Sequence, residues 1–395
     1  MKHRLPMIPV ICLFVALIAG TPAFSATVAV GTCLPNKVTF DSLTDAVQGV
    51  PTGSTILVCP GVYTEQIVIN KSLTLKGQTA GNSSYAVLVP PVGGLLTNAT
   101  SLSGSGFYGV GTPFAAQVLI ESGANVTITD MAFDATGYNI PTCSAIVVGI
   151  LIQDASASLT RVAIKNQLET GPFPCSATGA GAGVLAQNDG SNATTVDVRN
   201  STFANAAQSF ESDGASNTST LSNNSFAGNP ASNANAISIG NGNSTIQNNT
   251  ISSFNYPPAS ANLNGASYGI YLSCVPSGTI ANNSISTTQV GIILVNPTCP
   301  TTGVSITGND VSDAQIIGID VGETNGLVQN NTIRSTQTAI RVPGAAAGNT
   351  IQGNTIVDAC AAVGSNPAAG VNIFANNTYS NALNLAIVNT TGFCP

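Results

Sequence analysis

The chain has 395 residues, 43% of them hydrophobic but only 7% charged, with 40 glycines, no tryptophan and one histidine. Apolar material is ample for a large core, yet ordinary domains carry about a quarter charged residues, so this surface must be mostly Ser, Thr, Asn and Gly. Such a surface suits stacked strands better than amphipathic helices. The net charge of −7 argues against a nucleic-acid or anionic-membrane binder, which works through clustered cations.

At the N-terminus, Lys2 and Arg4 precede an apolar segment over 7–19, followed by the small-x-small site Ala23-Phe24-Ser25. This pattern predicts a signal peptide over 1–25 and a secreted or periplasmic mature chain. Cys12 lacks the preceding small residue of a lipid-attachment box, and no later run is long and apolar enough to span a bilayer. The only histidine, His3, would leave with the signal. Imidazole-based zinc or copper sites and Ser-His-Asp or Cys-His nucleophiles are then excluded. Of 10 Lys+Arg, the loss of Lys2 and Arg4 leaves 8 against 17 Asp+Glu, a net charge of −9.

The section 26–117 is read as an N-terminal cap with the first coils, continuous with repeats over 118–395. Within TFDSLTDAVQGVPTGSTILVCPGVYTEQIVINKSLTLKG (39–77), Asp41 is expected to cap a short helix running to Val50 and covering the open end of a core. Further on, strings such as IQNNTI, IANNSI and VQNNTI recur. Their second asparagine, or its equivalent, falls at Asn224, Asn249, Asn283, Asn309, Asn331, Asn354 and Asn377, at intervals of 25, 34, 26, 22, 23 and 23 residues. A period in the twenties marks a repeat architecture.

One repeat contains three short β-prone pieces, exemplified by 318–321, 327–329 and 332–335, each alternating in and out. Such a unit cannot bury its apolar face alone. Stacked on its neighbours it predicts an all-β fold: a three-sheet parallel solenoid of about ten or more coils around one continuous core. Parallel strands lie about 4.8 Å apart, so ten coils make a rod on the order of 50 Å long. The asparagine doublet falls at a corner, where asparagine tolerates the left-handed conformation and stacked amides bond adjacent coils. The earlier strings ITDMAF, LTRVAI and VRNSTF fit the same frame, with Met131, Val162 and Ser201 at the corner. Several doublets are also glycosylation sequons, read as a by-product of the ladder.

Eight cysteines remain after the signal, an even number that favours disulfides in an exported chain. Paired in chain order, Cys33–Cys59, Cys143–Cys175, Cys274–Cys299 and Cys360–Cys394 are separated by 26, 32, 25 and 34 residues, about one coil each.

The stretch 39–77, with its helix, G-S-T-I-L-V strand and P-G-V-Y-T-E turn, resembles the start of pectin-lyase-like right-handed parallel β-helix proteins. The later N-x-[IVF] strings resemble the parallel β-helix repeat, so the resemblance spans nearly the whole mature chain. It implies the fold and leaves the activity open, because this group holds lyases, hydrolases, esterases, epimerases and non-catalytic surface proteins. The methylesterase, polygalacturonase and alginate-epimerase motifs, which need tryptophan or histidine, are missing.

Aligning the coils pairs Asp130 with Arg161, Asp134 with Lys165 and Asp320 with Arg341 as cross-strand ion pairs. Arg199 and Arg334 have no evident partner. Glu211 and Asp213 share the outward side of one strand, flanked by Leu185 and Gln187 on one coil and by Ser238 and Gly240 on the other, with Asp189 in the adjacent turn. Two carboxylates at i and i+2 stand about 7 Å apart at the backbone. They suit an acid/base pair, a calcium site, or simply a solvated acidic patch. Three long turns over 138–145, 166–182 and 254–267 are expected to wall a groove on one edge. They carry Tyr138, Phe173 and Tyr256, with Tyr271 on the floor, and aromatic faces in a polar groove suit sugar rings. The reading is a monomeric, exported carbohydrate-binding or structural protein needing no cofactor. The alternative is a polysaccharide lyase or glycoside hydrolase using Glu211, Asp213 and Asp189.

Overall fold

A computed structural model describes residues 25–79, 85–102, 108–140, 144–169, 180–256, 266–295, 301–344, 346–366 and 368–382. Of the segment 1–25 read above as a signal peptide, residues 1–24 lie outside the described residues. The chain winds as successive coils whose strands pair in parallel; among the described residues, one antiparallel pair of strands joins Ala99–Thr100 to the start of Pro113–Ile120. Second strands of successive coils form a 14-stranded sheet. First and third strands belong to one 20-stranded sheet rather than to two separate ones. The reason lies in the last coils, where Ser284–Val295, Asp310–Val321, Thr332–Val342 and Thr355–Ser365 each run through both faces. A single left-handed residue bends each of them, at Thr287, Asp313, Ser335 and Asp358.

The asparagine doublet divides into two jobs. The first member takes the left-handed corner, with φ between 53° and 56° at Asn223, Asn248, Asn282, Asn330 and Asn376, and is exposed. The second faces inward. Asn224, Asn249, Asn283, Asn309, Asn331 and Asn354 are at most 2% exposed, and Asn377, in the last described coil, is half-buried. From Asn249 onwards, each Oδ1 accepts from the backbone N–H and the Nδ2 of the asparagine one coil earlier, as Asn331 does from Asn309 at 2.9 Å for both. Each Nδ2 also donates to a main-chain carbonyl. Corner polar groups that a dry interior would otherwise strand are thereby paired. Ser201 extends the ladder upstream, its N–H donating to Asn224 Oδ1 at 2.9 Å.

Inward Val, Ile, Leu and Phe side chains stack into one core along the rod, with Phe203 on Phe226 at 4.7 Å between ring centroids. The helix Leu43–Gly49 seals its N-terminal end through Leu43, Ala46 and Val47. Its cap is Ser42 and not Asp41: Ser42 Oγ accepts from Asp45 N at 3.0 Å. The Glu65 carboxylate, from the P-G-V-Y-T-E turn, accepts from the Leu43 and Thr44 N–H groups, each at 2.8 Å. Both devices satisfy the free donors of a helix start.

Cys33–Cys59 is a disulfide with Cα atoms 5.6 Å apart. Cys274 and Cys360 are disulfide-bonded as well; Cys143, Cys175, Cys299 and Cys394 lie outside the described residues. Asp130–Arg161 and Asp134–Lys165 form the expected ion pairs at 2.6 and 3.0 Å, and Arg341 pairs with Asp320. Arg199 and Arg334 do have partners, Asp197 two residues back on the same strand and Asp310 one coil earlier. No described helix is long and apolar enough to cross a membrane.

Candidate functional site

The outward face of the first-strand sheet changes character along the rod. Leu119, Leu151 and Leu185 occupy one register line. Polar and aromatic residues then follow on the same line: Glu211, Ser238, Tyr271, then Ile293, Asp320 and Arg341. Each step is one strand spacing, about 4.8 Å.

The leucine end is covered. Phe114 and Tyr108 pack on it, ring centroids 5.3 Å apart and nearly perpendicular. The returning segment is fastened by a glutamine ladder. Gln153 Nε2 donates to Thr100 O at 2.7 Å, and Gln187 Nε2 to Ser101 Oγ at 3.0 Å.

Glu211 and Asp213 sit beside this cover, in the expected register with Leu185 and Gln187 and with Ser238 and Gly240. They are not a solvated patch: each is 1% exposed. Asn241 Nδ2 donates to Asp213 Oδ1 at 3.3 Å. Glu169, 4% exposed, accepts from Val147 N at 2.7 Å, and burial raises its carboxyl above the usual range. Burial also pushes the Tyr108 phenol well up, with the Glu211 and Glu169 carboxylates adding to it. Glu169 and Glu211 are thus both buried carboxylates that act on the half-buried Tyr108 phenol, and the sequence pattern marks only Glu211. Asp189 stands apart. It is exposed, and its Oδ1 accepts from Ser191 N at 2.7 Å, which closes its own turn; the Ser191 hydroxyl, and then this N–H, hold its carboxyl below the usual range.

Of the four expected aromatics, one lies on the open part of the face. Tyr271 is half-buried between Ser238 and Ile293. Tyr268 joins it, ring centroids 5.4 Å apart at 44°. The pair rests on Val290, Ile293, Ile316 and Ile317. Next along the line, Asp320 is 2% exposed and gripped at both oxygens by the Arg341 fork, Nε to Oδ1 at 3.0 Å. Burial pushes the Tyr268 phenol to about 12, with Tyr271 and then Asp320 contributing; burial likewise raises Tyr271.

Tyr138 is not a groove residue. It packs with Leu95, Ala135 and Ala145 in a separate cluster. Tyr256 is half-buried and its carbonyl accepts from Gln289 Nε2. Phe173 lies outside the described residues. The signal for Tyr268 is the Tyr-x-x-Tyr spacing at 268–271, which brackets a strand start. Among the described residues no group of three or more His, Cys, Asp or Glu could hold a metal ion.

These strands, corners and register lines define a parallel β-helix. The chain matches the right handed beta helix region model over residues 118–356 and 232–391, and it belongs to that family. No curated protein sequence matches it. Its fold is similar to a lacto-N-biosidase from Eubacterium ramulus, at TM-score 0.58 and 9% identity, covering 90% of this chain and 68% of that one. It is also similar to DFA-IIIase from Arthrobacter chlorophenolicus, at 0.55 and 14%, covering 91% and 99%. The mannuronan C-5 epimerase A-module from Azotobacter vinelandii gives 0.51 and 14%, covering 84% and 87%. At such identities the likeness establishes the fold.

Proposed function

We propose that this is an exported glycan-binding β-helix that holds a neutral oligosaccharide on the open part of the first-strand face. The observation that carries this is the Tyr268–Tyr271 pair standing on the same face as the Asp320–Arg341 fork. Aromatic rings offer flat apolar area to a pyranose, and the Arg341 guanidinium, held in place by Asp320, offers oriented donors to its hydroxyls. The saccharide-directed names of structures with this fold agree with a glycan ligand. The leader over 1–25 and the disulfides agree with export. The binding needs no cofactor.

A second reading, cleavage of a polysaccharide, draws on one observation: the buried Glu169 and Glu211 carboxylates that act on Tyr108. Burial raises the Glu169 carboxyl above its usual range, the direction a general acid requires.

One experiment separates the two. Binding and product release are measured across neutral and acidic polymers, with and without calcium, for wild type, Tyr271→Ala and Glu211→Gln. The binding reading expects no product and at least about a tenfold loss of affinity, about 1.4 kcal/mol, in Tyr271→Ala. Product that disappears in Glu211→Gln replaces it with catalysis. Binding unchanged in Tyr271→Ala removes this face from recognition.

A further inference from the structure

A second buried amide ladder runs along the corner that leads into the second strands, and an acid holds one of its places. Gly326, Asn349 and Asn372 directly precede the register partners Leu327, Thr350 and Ile373, so they stand at the same point of successive coils. Val304 holds that point one coil earlier. Asn349 Oδ1 accepts from Gly326 N at 2.7 Å, and Asn372 Oδ1 accepts from Asn349 N at 3.0 Å. Gly326 has no side chain to do the same for Val304. The Glu323 carboxyl takes its place, with Oε2 accepting from Val304 N at 2.9 Å. It occupies the side-chain space of residue 326, where a Cβ would collide with both of its oxygens.

Unlike an amide, this group can ionise. Glu323 is fully buried and its Oε1 has no hydrogen-bond partner. No counter-charge faces it. The turns on either side, 301–303 and 343–349, and the strands Val304–Thr307, Leu327–Gln329 and Thr350–Gln352 contain no titratable residue. The nearest charge on its own coil is Asp320, which is bound by Arg341 on the outward face. A carboxylate without a cation is costly in such a place, and burial raises this carboxyl to about 8. The rest of the turn is held by a few bonds. Thr324 bridges Thr302 and Ala347, Gly303 N donates to Thr324 O at 3.0 Å, and Asn349 Nδ2 donates to Glu323 O at 2.9 Å.

We propose that Glu323 is a titratable latch: protonated, it closes the 322–326 turn against the preceding coil, and on giving its proton to solvent it leaves the corner and lets this turn open locally. The closed turn favours the protonated acid, whereas in the open turn the carboxyl has its ordinary value. Closure is therefore strongest below 4.5, weakens as pH rises towards about 8 and is level above that. The rungs at Asn349 and Asn372 carry no such dependence, because amides do not titrate in this range.

The test is native-state amide hydrogen exchange of wild type and Glu323→Gln, read as protection factors in low urea. Wild-type protection of Val304 and of 322–330 should fall at least about tenfold between about pH 5 and about pH 8. The opening should depend only weakly on urea, the mark of local rather than global unfolding. Glu323→Gln keeps the shape and the Val304 bond, and its protection should not change with pH. Constant protection in wild type overturns the proposal. So does an equal fall in Glu323→Gln, or a urea dependence as steep as that of global unfolding. Should Glu323→Gln not fold, Glu323→Ala with Gly326→Asn restores an amide of the Asn349 kind, and a pH-dependent fall there overturns the latch. Carbon-13 titration of the wild-type Glu323 carboxyl gives a further check, and a midpoint in the ordinary glutamate range also overturns it.

Discussion

Asn331 donates to Asn354 Oδ1 twice, from its backbone N–H and from its Nδ2, both at 3.0 Å. Asn331 Oδ1 receives the same pair from Asn309, and its Nδ2 also reaches Ile306 O at 2.9 Å. One side chain thus ties together three coils. Asn331→Ala strands the Asn309 donors and the Ile306 carbonyl inside the corner. Each unpaired buried group costs roughly 1–3 kcal/mol, so the variant should lose about 3 kcal/mol or more and melt several degrees lower. Asn330→Ala forfeits only the left-handed preference at φ 55°, worth about 1–2 kcal/mol, and Asn330→Gly should be close to neutral. Calorimetric melting temperatures of the three variants check this, and equality of Asn331→Ala with Asn330→Ala contradicts the ladder.

Glu323 carries a pH prediction. Its side chain is fully buried, Oε2 accepts from Val304 N at 2.9 Å, and Oε1 has no partner. Burial pushes its carboxyl up to about 8 from 4.5, against the smaller effect of the Val304 hydrogen bond. The fold therefore favours the protonated form. Its contribution is fully present below 4.5, declines as pH rises towards about 8, and is level above that. The slope is at most about 1.4 kcal/mol per pH unit. Urea midpoints should fall across this window in wild type. Glu323→Gln, which keeps the shape without the proton, should flatten that fall and be the more stable form at the alkaline end. A wild-type midpoint independent of pH, or an unchanged slope in Glu323→Gln, would contradict the assignment.

The ladder and the register were legible in the sequence because one chemical requirement enforces them. A buried corner needs the same amide in coil after coil, so Asn224 to Asn377 announce themselves. The neighbours of Glu211 and Asp213 followed directly from that register. Their burial did not. The segment Ala99–Thr100, more than a hundred residues earlier than Glu211, folds back across the same face, and nothing in a repeat alignment says where a non-repeating excursion lands. Tyr138 misled for the same reason: it belongs to a long turn, but Leu95 from another excursion gives it something to pack on. The bend at Thr287, Asp313, Ser335 and Asp358 is not legible in the sequence, because three residue types, Thr, Asp and Ser, serve one left-handed position and no single letter holds it from coil to coil.

Disulfide pairing gives a chemical check on coil order. Cys33–Cys59 spans 26 residues and joins adjacent coils. The same logic assigns Cys299 to Cys274, Cys394 to Cys360, and Cys143 to Cys175. Non-reducing peptide mapping should return these four crosslinked peptides and no free thiol. A Cys143–Cys274 or Cys175–Cys274 peptide would mean that the turns meet in another order. Cys33→Ser with Cys59→Ser should destabilise by about 2–4 kcal/mol, from the loop it closes.

Arg341 and Asp320 set the electrostatics beside Tyr268. Burial alone would drive the Asp320 carboxyl up, and the guanidinium works against it by hydrogen bonding and charge. Arg341→Leu leaves a carboxylate that is 2% exposed without its counter-charge, and breaking a buried pair this way costs about 3–5 kcal/mol. The loss should shrink as pH falls, because Asp320 then takes up a proton. The double variant Arg341→Leu with Asp320→Asn should recover most of it at neutral pH. Tyr268 supplies an independent readout, since its phenol is pushed to about 12 by burial first, then by Tyr271 and Asp320. Ultraviolet titration of phenolate should show a late-ionising tyrosine in wild type. It should ionise earlier in Asp320→Asn and later in Arg341→Leu, where the carboxylate stands alone. Titration curves that coincide for all three proteins would place Tyr268 out of reach of the ion pair.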